Sequence, residues 1–337
     1  MQCSLSECFV VNRVPVHALE AQRWPTVTDQ QGVHAPSVSV VIATRGRPEM
    51  LRAAVKGVLG QDYAGAIDLT VVFDRIEIDL LEDIVIPEGQ RRLQTLANTR
   101  SPGLAGGRNT GILASDGELI AFCDDDDEWL PSKLERQMSL WREDPAAVLI
   151  STGIRIATAG RLVDRLPPDR TEFSDLLKSR VTEIHPSSFL IRRSDVTGVL
   201  GLVDEDLPAS YGEDYDYLLR AARVGHLRGV QDSLVVVHWN RTSFFDGKWQ
   251  GIIDGLSYLL NKHPEFSESP KGSARIEGQI AFAWAALGRR AEARSWAART
   301  INHDRSQLRA YAALAIAAHL VPAGPLVRAV NRSGRGL

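Results

Sequence analysis

An alternation of short apolar runs with amphipathic segments, beginning at Ser37, is the feature that most constrains the fold of this chain. The run "SVSVVIAT" is rich in β-branched residues and is typical of a buried strand. The following segment, "RGRPEMLRAAVKGVLGQDY", places Leu51, Val55 and Val58 on one face of a helix that Pro48 can begin. A second buried run, "IDLTVVFD", comes next. Strand, helix and strand at this spacing predict an α/β fold with a mostly parallel sheet.

The predicted strands end in polar residues. The first strand ends at Thr44, the second at Asp74, and a later apolar run, "GELIAFC", stops at Asp124. In open α/β sheets, ligands bind at the carboxyl ends of the strands. We therefore expect a ligand site where these three residues meet.

Four consecutive carboxylates, Asp124 to Asp127, follow the third strand. Such a run ionises fully only at a high cost unless water, an arginine or a cation neutralises it. One interpretation is a solvated turn before the helix "PSKLERQMSLW", in which Ser132 and Glu135 match a capping box. The position after a buried strand favours a ligand site instead. Carboxylate oxygens suit Mg²⁺ or Mn²⁺ held together with substrate phosphates, which predicts a nucleotide diphosphate as the other half of the site.

Composition and missing motifs exclude several classes of function. Lys and Arg number 39 against 42 for Asp and Glu, so no overall positive charge favours binding of nucleic acid. The three cysteines show no metal-ligand spacing and no disulfide framework, which favours a reducing cytoplasm. The chain has no Walker loop, no G-x-G-x-x-G after a strand and no G-x-S-x-G elbow, so ATP-binding, NAD-binding and hydrolase interpretations have little support.

The chain divides into three predicted regions. Residues 1–36 form an N-terminal arm or edge strand without a secretory signal, and residues 37–245 form the α/β domain. Residues 246–337 are Ala-rich and helical, with a tetratricopeptide-like hairpin in "ARIEGQIAFAWAALGRRAEARSWAARTINHD". The late segment "YAALAIAAHLVPAGPLV" is shorter than a membrane span and predicts a buried or interfacial helix. We expect a cytoplasmic protein and leave open a peripheral contact with the inner face of the membrane.

Four segments, in order, resemble the inverting glycosyltransferases of family 2, which have the GT-A nucleotide-sugar fold. They are "VSVVIATRGRPEMLRAAVKGVLGQDY", "LAGGRNTGILASDGELIAFCDDDDEWLPSKLERQ", "HPSSFLIRRSDV" and "GEDYDYLLRAARVG". The resemblance runs from about Ser37 to Arg241. It implies a GT-A domain with a donor half at residues 37–130, an acceptor half at residues 131–245 and a C-terminal helical appendage.

The resemblance implies roles for the donor-side residues. Asp124-x-Asp126 matches the D-x-D motif, whose first carboxylate approaches the ribose and whose last holds the divalent metal, Mn²⁺ or Mg²⁺; Asp125 is the neighbouring binding residue. Asp74 matches the carboxylate that accepts a hydrogen bond from the base. The remaining nucleotide-sugar-binding residues are Ala43, Thr44 and Arg45 at the base and ribose, and Arg108 near the nucleotide. UDP, GDP and dTDP remain open, because one Asp can accept from several base edges.

On the acceptor side, Asp214 matches the general base and Glu213 its neighbour. Without the resemblance, both would be interpreted as charges that stabilise the N-terminus of a helix. His238, in "VVVHWNRTSFF", follows a run of predicted strand residues, and in the fold that the resemblance implies a downstream His sometimes completes the metal shell; a packing or loop role is the alternative. His185 is expected to be structural or to line the acceptor cleft.

These residues together predict a metal-dependent inverting glycosyltransferase. Its donor is a nucleotide-diphosphate sugar, and its acceptor is a hydroxyl on a glycan, a lipid-linked molecule or a small molecule. Two alternatives remain: a nucleotidyltransferase that makes a nucleotide sugar, and a non-catalytic relative that only binds one.

Overall fold

The computed structural model describes residues 35–158, 161–238, 248–322 and 324. The predicted N-terminal arm, apart from its last two residues, lies outside these ranges. The predicted boundary between residues 245 and 246 also falls outside them.

The described residues form ten strands and ten α-helices. The strands are β1 (Val38–Thr44), β2 (Ile67–Phe73), β3 (Arg91–Ala97), β4 (Leu119–Phe122), β5 (Asp127–Trp129), β6 (Leu149–Thr158), β7 (Arg161–Arg165), β8 (Arg170–Thr171), β9 (Leu190–Arg192) and β10 (Leu227–His238). The helices are α1 (Pro48–Leu59), α2 (Leu104–Leu113), α3 (Lys133–Glu143), α4 (Phe173–Lys178), α5 (Arg193–Thr197), α6 (Glu213–Val224), α7 (Trp249–Lys262), α8 (Pro270–Ala286), α9 (Arg290–His303) and α10 (Leu308–Ala317).

The strands form one sheet in the order β3-β2-β1-β4-β9-β6-β10-β5, with β7 beside β6 and β8 beside β10. The four strands from β3 to β4 are parallel, as are β6 and β10, whereas β9 is antiparallel to both of its neighbours. The predicted α/β class is confirmed. Thr44 pairs with Phe73, so the polar residues that follow β1 and β2 lie side by side at one edge of the sheet.

Alternate residues of the central strands fill two cores on opposite faces of the sheet. In β1, Val38, Val40 and Ile42 face the core covered by α1 and α3, and Val41 faces the core covered by α2 and α6. This alternation follows from the two-residue period of a strand. Both faces are therefore covered, which explains why the strand reads as a continuous apolar run.

The C-terminal helices pack on the α/β region. Leu256 of α7 and Ile280 of α8 belong to the same core as Leu218 of α6. A separate Ala-rich cluster joins α8, α9 and α10, where small side chains allow the helices to lie close together. Among the described helices, none combines the length and the apolarity that a membrane crossing requires.

Two local expectations differ from the structure. The segment "IDLLEDIVI", ambiguous between helix and strand, forms neither, although Leu81 and Ile84 within it are buried. Helix α3 begins as predicted, but the Ser132 side chain makes no capping bond. Its backbone is not extended, and Gln61 Oε1 instead accepts from the Leu134 N–H group at 3.1 Å.

Helix α2 lies unusually close to β1 because of its glycines. A Cβ atom at Gly107 would come within 2.9 Å of Ala43 Cβ, and one at Gly111 within 2.3 Å of Val41 Cγ1. Gly107 and Gly111 are one turn apart, so they form one face of the helix. This close approach sets the position of Arg108, the next residue after Gly107.

Replacing Gly111 with Ala is expected to destabilise the fold by about 1–3 kcal/mol, because overpacking against Val41 outweighs the gain in helix propensity. Gly278→Ala in α8 is the matched control, because its nearest contacts would be ordinary ones at 3.4 Å. We expect it to be neutral or stabilising by up to about 1 kcal/mol. Urea denaturation measures both; equal effects in the two variants would contradict the close packing of α2.

Candidate active site

The ends of β1 and β2 carry a hydrogen-bonded polar layer. Thr44 Oγ1 donates to Asp125 Oδ2 at 2.7 Å, and the Asp74 N–H group donates to the Thr44 carbonyl at 3.0 Å. The Asp74 carboxylate accepts from Asn98 Nδ2 at 2.8 Å and from the Gly103 N–H group at 3.0 Å. These bonds fix the rim of the sheet where the resemblance places the base and ribose.

Two further predicted donor residues lie at this rim. Arg45 is exposed, and its Nη1 atom is 3.8 Å from Asp74 Oδ2. Ala43 is half-buried under α2, opposite Gly107. The predicted donor-side residues at the ends of β1 and β2 therefore share one surface.

Arg108 joins the two halves of the predicted site. Its Nη2 atom donates to Asp124 Oδ1 at 2.7 Å, and its Nη1 atom donates to Glu213 Oε1 at 2.5 Å. Only 3% of Arg108 is exposed, so these bonds lie in a medium of low polarity. The D-x-D segment and the start of α6, far apart in sequence, therefore meet at one guanidinium.

Burial and the shared guanidinium set the pKa values of Glu213, Asp124 and Arg108. Burial raises the pKa of Glu213 to about 7 even though Arg108 opposes the rise. Burial also disfavours the charged form of Asp124, but Arg108 outweighs this and lowers its pKa. The two carboxylates in turn raise the pKa of Arg108, so the guanidinium stays charged although it is buried.

The rest of the acidic run is neutralised by a second arginine and by hydrogen bonds. Arg47 contacts Asp126, and its Nη1 atom is 3.2 Å from Asp125 Oδ1. Asp127 accepts from Ser187 Oγ at 2.5 Å. Burial, followed by the charge of Asp124 among the neighbouring groups, raises the pKa values of Asp126 and Asp127. Burial raises that of Asp125 as well.

Asp124, Asp127 and His185 form a group with metal-ligand chemistry. Each offers one ligand atom, and these three atoms lie within 4.8 Å of one another. His185 Nδ1 accepts from the Ser187 N–H group at 3.3 Å, so the neutral ring carries its proton on Nε2. Burial lowers the pKa of His185, which favours that neutral form. Two carboxylates and a neutral imidazole are a donor set that Mn²⁺ accepts.

Asp214 is held at the first turn of α6. Arg180 contacts Asp214 Oδ2, and the Tyr215 N–H group donates to Asp214 Oδ1 at 2.8 Å. The residue is 9% exposed, which leaves the carboxylate at the wall of the site. A carboxylate held in this way lies where it can accept a proton from a hydroxyl group.

The structure places the two predicted metal ligands in other contacts. Asp126 pairs with Arg47, and His238 Nε2 lies 2.9 Å from Glu128 Oε1. Neither belongs to the carboxylate–imidazole group. No role for Arg47 or Arg180 could be predicted from the sequence, since a lone arginine in a loop carries no spacing signal.

Lys133, at the start of α3, is a buried cation near the acidic loop that the sequence also left unassigned. It is 0% exposed; its Nζ atom lies 3.7 Å from the centre of the Trp129 ring and donates to Gln137 Oε1 at 2.9 Å. Burial lowers its pKa to about 7, with a weaker opposing effect from Cys123. Lys133 therefore opposes folding when it is protonated.

Stability should rise with pH because of Lys133, since the unfolded chain binds this proton up to about pH 10.5 and the folded chain loses it near 7. The free energy of unfolding of the wild type should increase relative to that of Lys133→Met between about pH 7 and 10, by up to about 1.4 kcal/mol per pH unit. Urea denaturation across this range measures the difference. Lys56 is exposed, and Lys56→Met is the control. If the free energies of unfolding of wild type and Lys133→Met change with pH in parallel, Lys133 is not buried as described.

The comparisons with known proteins agree with this geometry. Residues 39–199 match the family described as Glycosyl transferase family 2. The matched segment, slightly under half of the chain, belongs to this family. The resemblance carried by the four sequence segments is thereby confirmed, and the family match includes the donor-side residues and Arg108.

Curated relatives of this family 2 protein include bacterial glycosyltransferases. It is 28% identical over 231 residues to an uncharacterized glycosyltransferase of Rickettsia bellii, which covers 66% of this chain and 32% of the relative. It is 29% identical over 143 residues to the Escherichia coli UDP-Glc:alpha-D-GlcNAc-diphosphoundecaprenol beta-1,3-glucosyltransferase WfgD, which covers 42% of this chain and 55% of WfgD. The chain thus spans about a third to about half of the length of these two relatives.

Solved structures confirm the GT-A fold. Staphylococcus aureus TarS in complex with UDP-GlcNAc superposes with a TM-score of 0.53 at 16% identity, covering 89% of this chain and 92% of that one. The Pyrobaculum calidifontis mannosyltransferase PcManGT, in complex with GDP-Man and Mn²⁺, gives a TM-score of 0.51 at 18% identity, covering 85% and 81%. At these identities the likeness concerns the fold alone.

Proposed function

We propose that this protein is a metal-dependent, inverting glycosyltransferase that moves a sugar from a nucleotide-diphosphate sugar to an acceptor hydroxyl. The observation that carries the proposal is the buried Arg108 bridge between Asp124 of the D-x-D motif and Glu213 beside Asp214. A group transfer between two substrates requires the reacting atoms to be held together. Here one guanidinium contacts both the donor motif and the acceptor motif.

The donor half is supported by the polar layer on β1 and β2. The Asp74 carboxylate has lone pairs left after its bonds to Asn98 and Gly103, so it can accept from a base N–H group. By the motif match, Thr44, Asp125 and Asp124 would face the ribose and the diphosphate of such a donor. The ligands named for TarS and PcManGT are nucleotide sugars, which supports a donor of this class.

In the proposed reaction, Asp214 takes the proton from the acceptor hydroxyl. Its Oδ1 atom is oriented by the Tyr215 N–H group and its Oδ2 atom by Arg180, so the carboxylate cannot turn away. As the proton leaves, the hydroxyl oxygen attacks the anomeric carbon from the side opposite the nucleotide. The bond from that carbon to the diphosphate oxygen breaks, the nucleoside diphosphate leaves with the bonding electrons, and the configuration is inverted. Arg108 keeps α6 and the acidic loop in register while this happens.

The residues present fit a divalent cation. The ligand atoms of Asp124, Asp127 and His185 already converge within 4.8 Å. Beside them, Asp126 keeps 30% of its side chain exposed and holds the cationic group of Arg47. The motif match assigns the metal to Asp126, the fold resemblance adds His238 as a further ligand, and the convergent group is the second candidate. A cation bound there would offset the charge that builds up on the departing diphosphate.

Mn²⁺ titration followed by electron paramagnetic resonance separates these ligand sets. Asp126→Asn and His238→Asn should each weaken Mn²⁺ binding by about tenfold or more, because each removes a proposed ligand. His185→Asn is the matched comparison. If His185→Asn weakens binding and His238→Asn does not, the convergent group is the site and the assignment to His238 is wrong.

Replacing Asp214 with Asn should lower kcat roughly 10²–10⁴-fold, because the amide cannot accept the proton. Binding of the nucleotide diphosphate should be unchanged, since Asp214 faces the acceptor. The measurement is donor turnover with Mn²⁺, and thermal shifts with UDP, GDP and dTDP identify the nucleotide. The exposed Asp206→Asn is the control.

Full turnover by Asp214→Asn would remove this residue from the mechanism. Pyrophosphate release from a nucleoside triphosphate and a sugar phosphate would indicate a nucleotidyltransferase instead. A wild-type protein that binds nucleotide sugars without any turnover would indicate a non-catalytic relative.

The acceptor and the location belong to the same proposal. WfgD is named for a diphosphoundecaprenol-linked acceptor, which supports a lipid-linked acceptor among the three predicted classes. We propose a cytoplasmic protein with peripheral contact at the inner face of the membrane. Flotation with liposomes tests that contact.

A further inference from the structure

Helix α10 is apolar on two opposite sides. On one side, Ala310, Ala313 and Ala317 are buried in the Ala-rich cluster that joins α8, α9 and α10. On the other side, Leu308 is 80% exposed and Tyr311 is 45% exposed. The alanines explain how the helix is held in the protein, but they leave the apolar side chains on the other side in contact with water.

The outer face of α10 consists of Leu308, Tyr311, Ala315 and Ala318, the last of which directly follows the helix. These residues are three or four positions apart, so they share one side of the helix. None of the four is charged. The outermost helix of a stack of helical repeats normally has a polar outer face, because water must solvate it. An apolar face on α10, the last α-helix among the described elements, therefore indicates a surface that contacts something other than water.

The turn that ends α10 adds another exposed leucine. The His319 N–H group donates to the Ile316 carbonyl at 2.9 Å. The Leu320 N–H group donates to the Ala315 carbonyl, also at 2.9 Å, and His319 has a left-handed φ of 58°. These are the bonds of a Schellman cap, in which the residue in the place of Leu320 frequently packs against the helix. Leu320 is instead 77% exposed, so its side chain is available for another apolar contact.

The sequence around α10 is positively charged. Residues 305–337 contain five arginines and neither Asp nor Glu, whereas the whole chain has a formal net charge of -3. Arg305 is exposed, and its carbonyl accepts from the Tyr311 hydroxyl at 2.8 Å. An aromatic ring with a polar tip is typical of the boundary between water and lipid. Apolar and positively charged residues therefore occur together at this end of the described chain.

We propose that the outer face of α10, together with Leu320, binds the surface of an anionic lipid membrane. The location at the inner face of the membrane rests on the proposed function, whereas the surface itself is argued from α10. Apolar side chains enter the boundary between headgroups and acyl chains, and arginines are attracted to anionic headgroups. The exposed leucines and the excess of arginine match these two parts of a membrane.

A second copy of the chain matches this surface less well. A symmetric dimer would bring the same patch of each copy together. The arginines of both copies would then be concentrated at one interface, where like charges repel. A nucleic acid would meet the positive charge but would leave Leu308 and Leu320 in water. An anionic membrane offers the opposite charge and an apolar phase together.

Packing links this surface to the active site. Helix α8 shares the Ala-rich cluster with α10, and Ile280 of α8 belongs to the same core as Leu218 of α6. Helix α6 begins with Glu213 and Asp214. A chain bound through α10 would therefore keep its active site close to the membrane, where a lipid-linked acceptor is found.

Flotation of the full chain with two kinds of vesicle tests the surface. One kind contains phosphatidylcholine alone, and the other contains phosphatidylcholine with the anionic phosphatidylglycerol. The wild type should bind the anionic vesicles more tightly, and salt should weaken this binding because it screens the arginines. Leu308→Gln and Leu320→Gln should each weaken it by about tenfold, since each removes an apolar side chain from the contact. Arg305→Gln should weaken it by about fivefold.

Leu162→Gln is the matched control. Leu162 is 68% exposed, and it lies on β7, outside the C-terminal helices. This variant should bind the anionic vesicles as the wild type does. If Leu308→Gln fails to fold, as judged by circular dichroism, Leu320→Gln decides.

Three results would overturn the proposal. The first is a wild-type chain that does not bind the anionic vesicles, or that binds both kinds of vesicle equally. The second is equal binding by Leu308→Gln, Leu320→Gln and Leu162→Gln. The third is a wild-type dimer in sedimentation velocity without lipid that Leu308→Gln dissociates, because a second copy would then cover this face.

Donor turnover in solution separates this proposal from the proposed function. Leu308→Gln should turn over the donor with Mn²⁺ at the wild-type rate, because Leu308 is not among the residues of the active site. A wild type that binds anionic vesicles through α10 but turns over no nucleotide sugar would retain the membrane surface and overturn the proposed function. Turnover of the donor without any binding to vesicles would overturn the membrane surface alone.

Discussion

The buried bridge from Arg108 to Asp124 and Glu213 is the interaction on which the rest of the site depends. A buried guanidinium is tolerated only when its charge and its donors are met, and two carboxylates from different elements meet them here. Removing either carboxylate would leave an uncompensated charge in a medium of low polarity. The bridge therefore holds the acidic loop after β4 and the first turn of α6 at a fixed separation.

Both ends of the bridge are supported by packing. On one side, the glycine face of α2 brings the helix against β1, and this sets the height of Arg108 above the sheet. On the other side, Asp216 anchors α6 from beneath: it is 0% exposed, with His263 Nε2 at 2.9 Å and Lys262 Nζ at 2.8 Å. These bonds, with burial opposing them, lower the pKa of Asp216 to about 2. Helix α6 is thus tied to the C-terminal region.

Features set by neighbouring residues could be predicted from the sequence, whereas contacts between residues far apart in the chain could not. Strands β1, β2 and β4 and helices α1 and α3 could be predicted because periodicity and local composition depend on neighbours in sequence. The partners of the acidic run could not, because Arg47 and Arg108 reach it from other elements and nothing in their spacing marks them. The contact of His238 shows the same limit: the resemblance implies a metal ligand there, and only the fold reveals that Glu128 lies beside its ring.

The sequence alone predicts the α/β class, the family and the residue types at the strand ends, because these depend on short-range pattern and on motifs in order. The folded structure is needed to show how the four aspartates are neutralised, which residues converge within 4.8 Å and that Arg180 contacts Asp214. The physical reason is that charge compensation acts through space. A buried carboxylate pairs with whichever cation the packing brings close to it. The packing of α6, α8 and α10 is set by apolar contacts, which cannot be predicted from the charged residues.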